Sequence, residues 1–223
     1  MKISALALAA ATAAASAGDP FTLSFDDTFN GFGSTLPIGS GIQNENFAIA
    51  RNDTAGVEIG LQAIERFVGT VPNTDERYFV NPGFSPVSGS DPTPSTNSTW
   101  NYNWGIVLPT ATQNWDIELR VDFDSGFGMQ DFVAVDLNVF LDPLNINTAA
   151  DSQNLAFGFW QLPPFNAPAF DANAFGEYDI DLTVRDLSGG IVARSAIVVE
   201  VVPGPGSAAL LGLGGLVAMR RRR

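Results

Sequence analysis

The sequence predicts an all-β fold, an antiparallel β-sandwich of the Ig-like or jelly-roll-like type. Two observations predict it. Short segments in which apolar and polar residues alternate recur along the chain, and clusters of Gly, Pro, Asn and Asp separate them. Strands of this kind have one apolar face, and two sheets that cover each other bury those faces most economically.

The first 17 residues, MKISALALAAATAAASA, predict a cleavable signal peptide. One positive charge at Lys2 precedes an apolar run from Ile3 through Ala15, and the small residues Ala15 and Ala17 form the pattern that signal peptidase accepts. A buried N-terminal helix is the alternative, but this stretch has no polar face. We therefore expect cleavage after Ala17 and export of the rest of the chain.

Residues 18–202 are expected to form one acidic domain, followed by a tail over residues 203–223. All 24 Asp and Glu residues lie in the domain, and its only cations are Arg51, Arg66, Arg77, Arg120, Arg185 and Arg194. A charge of this sign does not attract nucleic acid or anionic lipid head groups. The chain has no Cys, so its stability must come from the core and not from disulfides.

The strands of the N-terminal half are expected in FTLSFDD, ENFAIARND, GVEIGLQAIERFVG and TWNYNWGIVL. In GLQAIERF a helix competes with a strand, but Gly60 and Gly69 on either side argue against a long helix. Before the last of these segments, residues 85–98 consist mainly of Ser, Pro, Thr and Asn, with few apolar residues. That composition predicts a long exposed loop.

Two strands are expected in the middle of the chain. In WDIELRVDFD the apolar residues alternate with charged ones, which is typical of a half-buried antiparallel strand; the apolar set is Trp115, Ile117, Leu119, Val121 and Phe123. DFVAVDLNVFLD continues the alternation and predicts a further strand, with Val133, Val135, Leu137, Val139 and Leu141 on one face. Phe132, Ala134 and Phe140 make the other face partly apolar, so cover on both sides is the alternative to cover on one.

The segment GEYDIDLTVRDLSGGIVARSAIVVEVV predicts a hairpin that turns at residues 188–190. The first strand should face the core with Tyr178, Ile180, Leu182 and Val184, and the return strand with Ile191, Ala193, Ile197, Val199 and Val201. The polar residues Asp179, Asp181 and Arg185 should then face water. On this register, Leu182→Asp should unfold the domain and Asp181→Asn should not.

The composition excludes most enzyme chemistry. Without His or Cys, the common nucleophilic triads, the thiol enzymes and nearly all zinc sites are ruled out. Glycoside hydrolysis needs only two carboxylates, but any acidic sandwich offers many such pairs, so their presence is not diagnostic. We therefore expect a non-catalytic protein.

Three acids are candidate ligands of Ca²⁺: Asp122, Asp124 and Asp131. An EF-hand counted from Asp122 would place Val133 where the bidentate Glu belongs, so only an irregular loop site is compatible with the sequence. The other interpretation is a solvated acidic face that keeps the protein soluble. No other cofactor is expected.

Trp100, Tyr102 and Trp104 alternate with Asn101, Asn103 and Gly105 and therefore share one face of a strand. Such a row is either part of the core, the interpretation that we favour, or the stacking platform of a carbohydrate-binding module. In the second case the candidate partner is an exopolysaccharide. Exposed, coplanar rings of Trp100 and Trp104 would distinguish the module.

The chain ends in VVPGPGSAALLGLGGLVAMRRRR. The Pro/Gly hinge is Pro203, Gly204, Pro205 and Gly206, and the basic cluster is Arg220, Arg221, Arg222 and Arg223. As a helix, residues 204–219 would reach about 24 Å, short of the ~30 Å core of a bilayer. The arginines would hold the end of this helix on the cytoplasmic side. These features predict a transient anchor that a membrane protease can remove.

The tail resembles the C-terminal sorting signal of PEP-CTERM proteins, which are the substrates of bacterial exosortases. The hinge, apolar helix and Arg cluster match in order, spacing and position, although Gly204 stands where the family usually has Glu. The segments TWNYNWGIVL and FGEYDIDLTVRDLSGGIVARSAIVVEVVPGP also look like segments of small PEP-CTERM proteins. The resemblance implies an exported surface or matrix protein with no assigned catalytic residues, in contact with the inner membrane only through the tail before processing. Its processing partners would be signal peptidase and an exosortase-like membrane protease.

Overall fold

The computed structural model describes residues 21–29, 42–128 and 131–203, and these residues form an all-β fold. The strands of the first half are β1 (Thr22–Asp27), β2 (Phe47–Asn52), β3 (Val57–Glu65), β4 (Gly69–Thr70), β5 (Asn73–Thr74), β6 (Arg77–Val80), β7 (Phe84–Ser88), β8 (Asp91–Ser98) and β9 (Trp100–Val107). Those of the second half are β10 (Asp116–Asp122), β11 (Phe132–Asp136), β12 (Thr148–Gln153), β13 (Gly176–Arg185) and β14 (Ile191–Val201).

Helical structure is short. The helix α1 (Asn138–Leu141) has a single turn, and 3₁₀ turns occur at Thr112–Asn114, Asp142–Leu144 and Gly158–Gln161. GLQAIERF therefore lies mostly in strand β3 and not in a helix. Strand β3 is buried on both faces over most of its length.

The strands form two six-stranded sheets and one separate hairpin. The first sheet has the order β1-β2-β3-β9-β12, with β4 paired to the end of β3, and the second has the order β11-β10-β13-β14-β6-β5. All the described pairs are antiparallel except β6 with β14, which is parallel, so the second sheet is mixed. Strands β7 and β8 pair only with each other.

The two large sheets pack face to face, with β14 and β13 lying over β2 and β3. Their facing side chains form the main core, which includes Leu61, Trp100, Ile180 and Val199. Buried polar side chains link the sheets as well: Ser195 Oγ donates to the carbonyl of Ala48 at 2.6 Å. Such links help to fix the position of one sheet on the other.

The alternation predicted the buried faces of β10 and β13 correctly. Ile117, Leu119 and Val121 of β10 are at most 2 % exposed, and the four inward residues predicted for β13 are at most 1 % exposed. The start of the return strand, β14, differs from the predicted alternation, because its pairing with β13 shifts by one residue between Val184 and Arg185. Ile191, which was expected to face the core, is therefore 39 % exposed.

The strand predicted through residue 141 is wrong beyond Asp136, where the chain turns into α1. Asn138 causes the change of direction: its backbone N–H donates to Asp136 Oδ1 at 2.9 Å, and its Oδ1 accepts from the backbone N–H of Ile117 at 2.8 Å. An Asn that bonds to local backbone in this way competes with the strand ladder. Val139 is consequently 64 % exposed.

The loop predicted for residues 85–98 is also wrong, because these residues lie in the β7–β8 hairpin. Most of its side chains are exposed, but Ser85 and Ser98 at its base are at most 1 % exposed. Ser98 bonds to the buried side chain of Asn154, with Oγ and Oδ1 3.1 Å apart. Buried polar contacts, which composition does not reveal, therefore order this segment.

Candidate functional site

A cleft of about 520 Å³ lies where the two large sheets end side by side, at edge strand β12 of one sheet and edge strand β11 of the other. The segment from α1 to residue 146 and the turn at Gly158–Gln161 also contribute to its wall, together with residues of β9 and β10 and with Phe165. The lining consists of Tyr102, Trp104, Leu119, Val135, Leu137, Phe140, Leu141, Leu144, Ile146, Thr148, Ala149, Ala150, Asp151, Gln153, Phe159, Trp160 and Phe165. Its volume is in the range of small-molecule sites.

Aromatic rings in mutual contact form one side of the cleft. Trp160 lies at its centre, with ring centroids 4.9 Å from Phe159 and 5.1 Å from Phe165. The ring of Phe165 stacks on that of Phe140 at 6.4 Å. Trp160 is itself fixed, because its Nε1 donates to the carbonyl of Asn154 at 3.1 Å. The cluster is therefore attached to the end of β12 and supports the wall.

The cleft is accessible from solvent through an apolar rim. Leu144 is 62 % exposed, Phe140 is 50 % exposed and Phe159 is 39 % exposed, although all three line the cleft. Single exposed apolar side chains are common on protein surfaces, whereas a group of them at an opening marks a binding groove. This rim therefore indicates a binding site.

Four residues give the cleft its polar character: Tyr102, Thr148, Asp151 and Gln153. In the antiparallel pairing of β9 with β12, Tyr102 lies opposite Gln153, and Trp104 lies opposite Asp151. Residues directly opposite each other in a sheet lie on the same face, so Tyr102, Trp104, Asp151 and Gln153 share one face of this sheet.

Tyr102 is fully buried. Burial, and to a smaller extent the negative charge of Asp151, raise the pKa of the Tyr102 phenol well above its ordinary value. The phenol is therefore neutral at physiological pH and can donate a hydrogen bond. Its oxygen has no hydrogen-bond partner among the described residues.

Gln153 is the second polar group with an unused atom. Its Nε2 donates to Asp151 Oδ2, whereas its buried Oε1 has no partner within the described ranges. The cleft thus combines a large apolar surface with one unused donor and one unused acceptor. This arrangement can bind and orient a small molecule.

Trp100, Tyr102 and Trp104, the row predicted from the alternation, are 0 %, 0 % and 6 % exposed. Trp100 packs in the core, with its ring centroid 5.7 Å from that of Tyr178. The structure therefore brings only Tyr102 and Trp104 to the cleft, and the three rings do not form an exposed platform.

The candidate Ca²⁺ ligands lie around the end of β10. Asp122 is fully buried and accepts from the backbone N–H of Asp124 at 3.0 Å, while Asp124 accepts from that of Gly126 at 2.6 Å. Asp131 contacts this segment through its backbone carbonyl, which accepts a hydrogen bond from the backbone N–H of Phe123 at 3.2 Å. In the part of the chain that the structure describes, no three acidic side chains are grouped so that they could hold a metal ion. Ca²⁺ binding at these residues stays a prediction.

Ala15 and Ala17 lie outside the described residues, as do Gly204 and all that follows it. Pro203, the first residue of the hinge, is the last described residue and is exposed. Within the described ranges, no helix has the length and the apolar character that crossing a bilayer requires.

Most of the cleft residues are not marked by any pattern in the sequence. Phe159, Trp160 and Phe165 belong to FGFWQLPPFNAPAF, which has no strand periodicity. The one feature of the sequence that points to these residues is the concentration of aromatic side chains in a segment without an alternating pattern. Asp151 and Gln153 carry no signal of their own, because their role depends on pairing with β9.

Comparison with known proteins finds no family model that matches the chain and no curated protein that matches it.

Proposed function

We propose that the chain is a non-catalytic protein exported to the cell surface or the extracellular matrix, where its domain binds a small, largely apolar ligand in the cleft. The domain is an Ig-like or jelly-roll-like sandwich between a signal peptide, residues 1–17, and an exosortase-type sorting tail, residues 203–223. The observation that carries the binding role is the lining of the cleft, in which every residue other than Tyr102, Thr148, Asp151 and Gln153 is apolar.

Carbohydrate binding is the second candidate function. It is favoured by one observation: Tyr102 and Trp104, two members of the predicted aromatic row, border the cleft together with Asp151 and Gln153. A sugar of an exopolysaccharide could stack on a ring and bond to these polar groups. The apolar ligand is preferred because sugars carry many hydroxyl groups, and the lining offers polar partners to few of them.

The export and sorting parts of the proposal are tested in the host. Mass spectrometry of the protein should find a mature N-terminus after Ala17 and a mature C-terminus within residues 203–206. Replacing Arg220 to Arg223 by Ser should let uncut precursor, with its apolar tail, reach the exterior, because the arginines delay translocation. Membrane-bound protein that keeps its C-terminus through Arg223 would contradict sorting and indicate an ordinary anchor.

The binding part is tested by equilibrium dialysis of the purified protein with 2-methylnaphthalene. Wild-type protein should bind one molecule, and Leu144→Asp should weaken binding by about tenfold, because a charge at the rim opposes the entry of an apolar ligand. Leu187→Asp is the matched control, since Leu187 is 75 % exposed and does not line the cleft. Absence of binding, or equal effects of the two substitutions, would reject the cleft as the site.

A further inference from the structure

Tyr102 Oη and Gln153 Oε1 are two polar atoms that are buried at the cleft without a hydrogen-bond partner among the described residues. Buried polar atoms in folded proteins nearly always have a partner, so each atom without one calls for an explanation. Here the two atoms belong to residues that lie opposite each other on β9 and β12, and both residues line the same cavity.

The two atoms have opposite hydrogen-bonding roles. The phenol of Tyr102 is held in its neutral form by burial, so its O–H is available as a donor. The orientation of the Gln153 amide is fixed by Asp151, because a carboxylate accepts hydrogen bonds and the amide nitrogen must therefore face it. The amide oxygen that remains can only accept.

We infer that the ligand of the cleft carries a hydroxyl group on a flat apolar body, as a phenol does. The hydroxyl oxygen accepts a hydrogen bond from Tyr102, and the hydroxyl proton is donated to Gln153 Oε1. A hydroxyl both accepts and donates, so a single hydroxyl group can satisfy both atoms. The apolar body lies against the aromatic wall of Phe159, Trp160 and Phe165.

This inference rests on the proposed binding role of the cleft and adds the chemical class of its ligand. Ligands with many hydroxyl groups fit less well, since the lining offers few polar partners beyond the pair of Tyr102 and Gln153. Fully apolar ligands would fill the cleft but would leave both polar atoms without partners, which lowers affinity.

The test compares three probes of similar shape in equilibrium dialysis with the wild-type protein. We expect 2-naphthol, which both donates and accepts, to bind about tenfold more tightly than 2-methylnaphthalene, which does neither. The affinity of 2-methoxynaphthalene, which only accepts, should be intermediate. Equal affinities for 2-naphthol and 2-methylnaphthalene would overturn the inference and leave the binding role of the cleft intact. If none of the three probes binds, the proposed function fails as well.

Two variants test whether the preference for 2-naphthol depends on Tyr102 Oη and on Gln153 Oε1. Tyr102→Phe should reduce the preference for 2-naphthol over 2-methylnaphthalene to about threefold or less. Gln153→Leu should abolish the advantage of 2-naphthol over 2-methoxynaphthalene. Tyr78→Phe is the control, because Tyr78 is also fully buried but donates to the carbonyl of Asn46 at 2.6 Å, away from the cleft. A preference that survives in Tyr102→Phe would overturn the inference.

Thermal unfolding distinguishes a ligand-binding role of the Tyr102 hydroxyl from a structural role. Because the Tyr102 hydroxyl has no partner among the described residues, its removal should not lower the melting temperature. Removal of the Tyr78 hydroxyl should lower it, since the carbonyl of Asn46 then loses its donor. A clear loss of stability in Tyr102→Phe would show that the hydroxyl has a partner in the folded protein and would contradict the inference.

Discussion

Arg194 and Asp181 form a charge pair across the β13–β14 hairpin, in which Arg194 Nε donates to Asp181 Oδ2 at 2.6 Å. Thr183 Oγ1 donates to the other carboxylate oxygen at 2.8 Å, and Asp181 is only 3 % exposed. The expectation that Asp181 faces water is therefore wrong, although its side chain is on the outer face of the sheet. Long side chains on neighbouring strands cover the middle of such a face.

This pair predicts that Asp181 is not a neutral site for substitution. Arg194→Met should lower the free energy of unfolding by about 3 kcal/mol, because it leaves a buried carboxylate without its charged partner. Asp181→Asn should cost less, about 1–2 kcal/mol, since Thr183 can still donate to the amide oxygen. Urea denaturation at pH 7 measures both values. Equal costs for the two variants, or no cost for Asp181→Asn, would contradict this account.

Asn154 predicts a second stability effect, because its fully buried side chain connects three segments. Its Nδ2 donates to the carbonyl of Trp100 at 2.7 Å and to Asn101 Oδ1 at 2.8 Å, and its Oδ1 accepts from the backbone N–H of Ser98 at 3.1 Å. Asn154→Asp keeps the shape but directs a carboxylate oxygen at these acceptors. We expect a loss of about 3 kcal/mol or more in urea denaturation.

Asn173→Asp is the matched control for Asn154→Asp, because Asn173 is exposed. It makes the same change of charge and should alter the free energy of unfolding by less than about 0.5 kcal/mol. If both substitutions cost the same, the effect belongs to the added negative charge on an acidic domain and not to the buried contacts of Asn154.

The features that the sequence predicted correctly are those set by local alternation. Ile117, Leu119 and Val121 occupy one face of β10 because successive side chains in a strand point to opposite sides, whatever the rest of the fold is. Prediction failed where a polar contact overrides the pattern. Asn138 ends the alternation after β11, and Asn154 fixes Ser98 at the base of a hairpin that composition had assigned to a loop.

The cleft could not be predicted in the same way, because it is formed by edges that are distant in the sequence. Tyr102 and Gln153 become neighbours only through the pairing of β9 with β12. Alternation placed Tyr102 on the inner face but did not indicate that its hydroxyl would lie at a cavity. The aromatic wall comes from a non-periodic segment, for which strand patterns make no statement.

Gly176 predicts a steric effect at the start of β13. Its φ is +146°, and a Cβ at this position would lie 2.0 Å from the carbonyl oxygen of Ser125. Gly176→Ala should therefore cost more than about 2 kcal/mol in urea denaturation, because the backbone of residue 125 must move. Gly128→Ala is the control: Gly128 also has a positive φ, +76°, but no atom of the other residues that the structure describes lies within 4 Å of the added Cβ. Similar costs at both positions would show that only the dihedral angle matters.

Asp179 predicts a dependence of stability on pH. Burial raises the pKa of the Asp179 carboxyl above its ordinary value of 3.8, and the negative charges of Asp122 and Glu177 add to the effect, while Arg77 opposes it. The folded state therefore binds a proton at Asp179 more tightly than the unfolded state does. Consequently, the contribution of this group to stability falls as pH rises from about 3.8 through the raised pKa and stays unfavourable above it.

Asp179→Asn removes the charge that the folded state disfavours. We expect the variant to have a higher melting temperature than the wild type at pH 7, and the difference should shrink as pH falls through the raised pKa and be absent well below 3.8, where Asp179 is protonated in both states. Asp186→Asn is the control with the opposite sign, because hydrogen bonds from Ser188 and from the backbone of Gly190 lower the pKa of Asp186. That variant should be less stable than the wild type at pH 7, and its deficit should disappear only as pH falls through the lowered pKa. Melting temperatures at half-unit steps from pH 3 to pH 7 measure both profiles, and a difference for Asp179→Asn that does not change with pH would contradict the raised pKa.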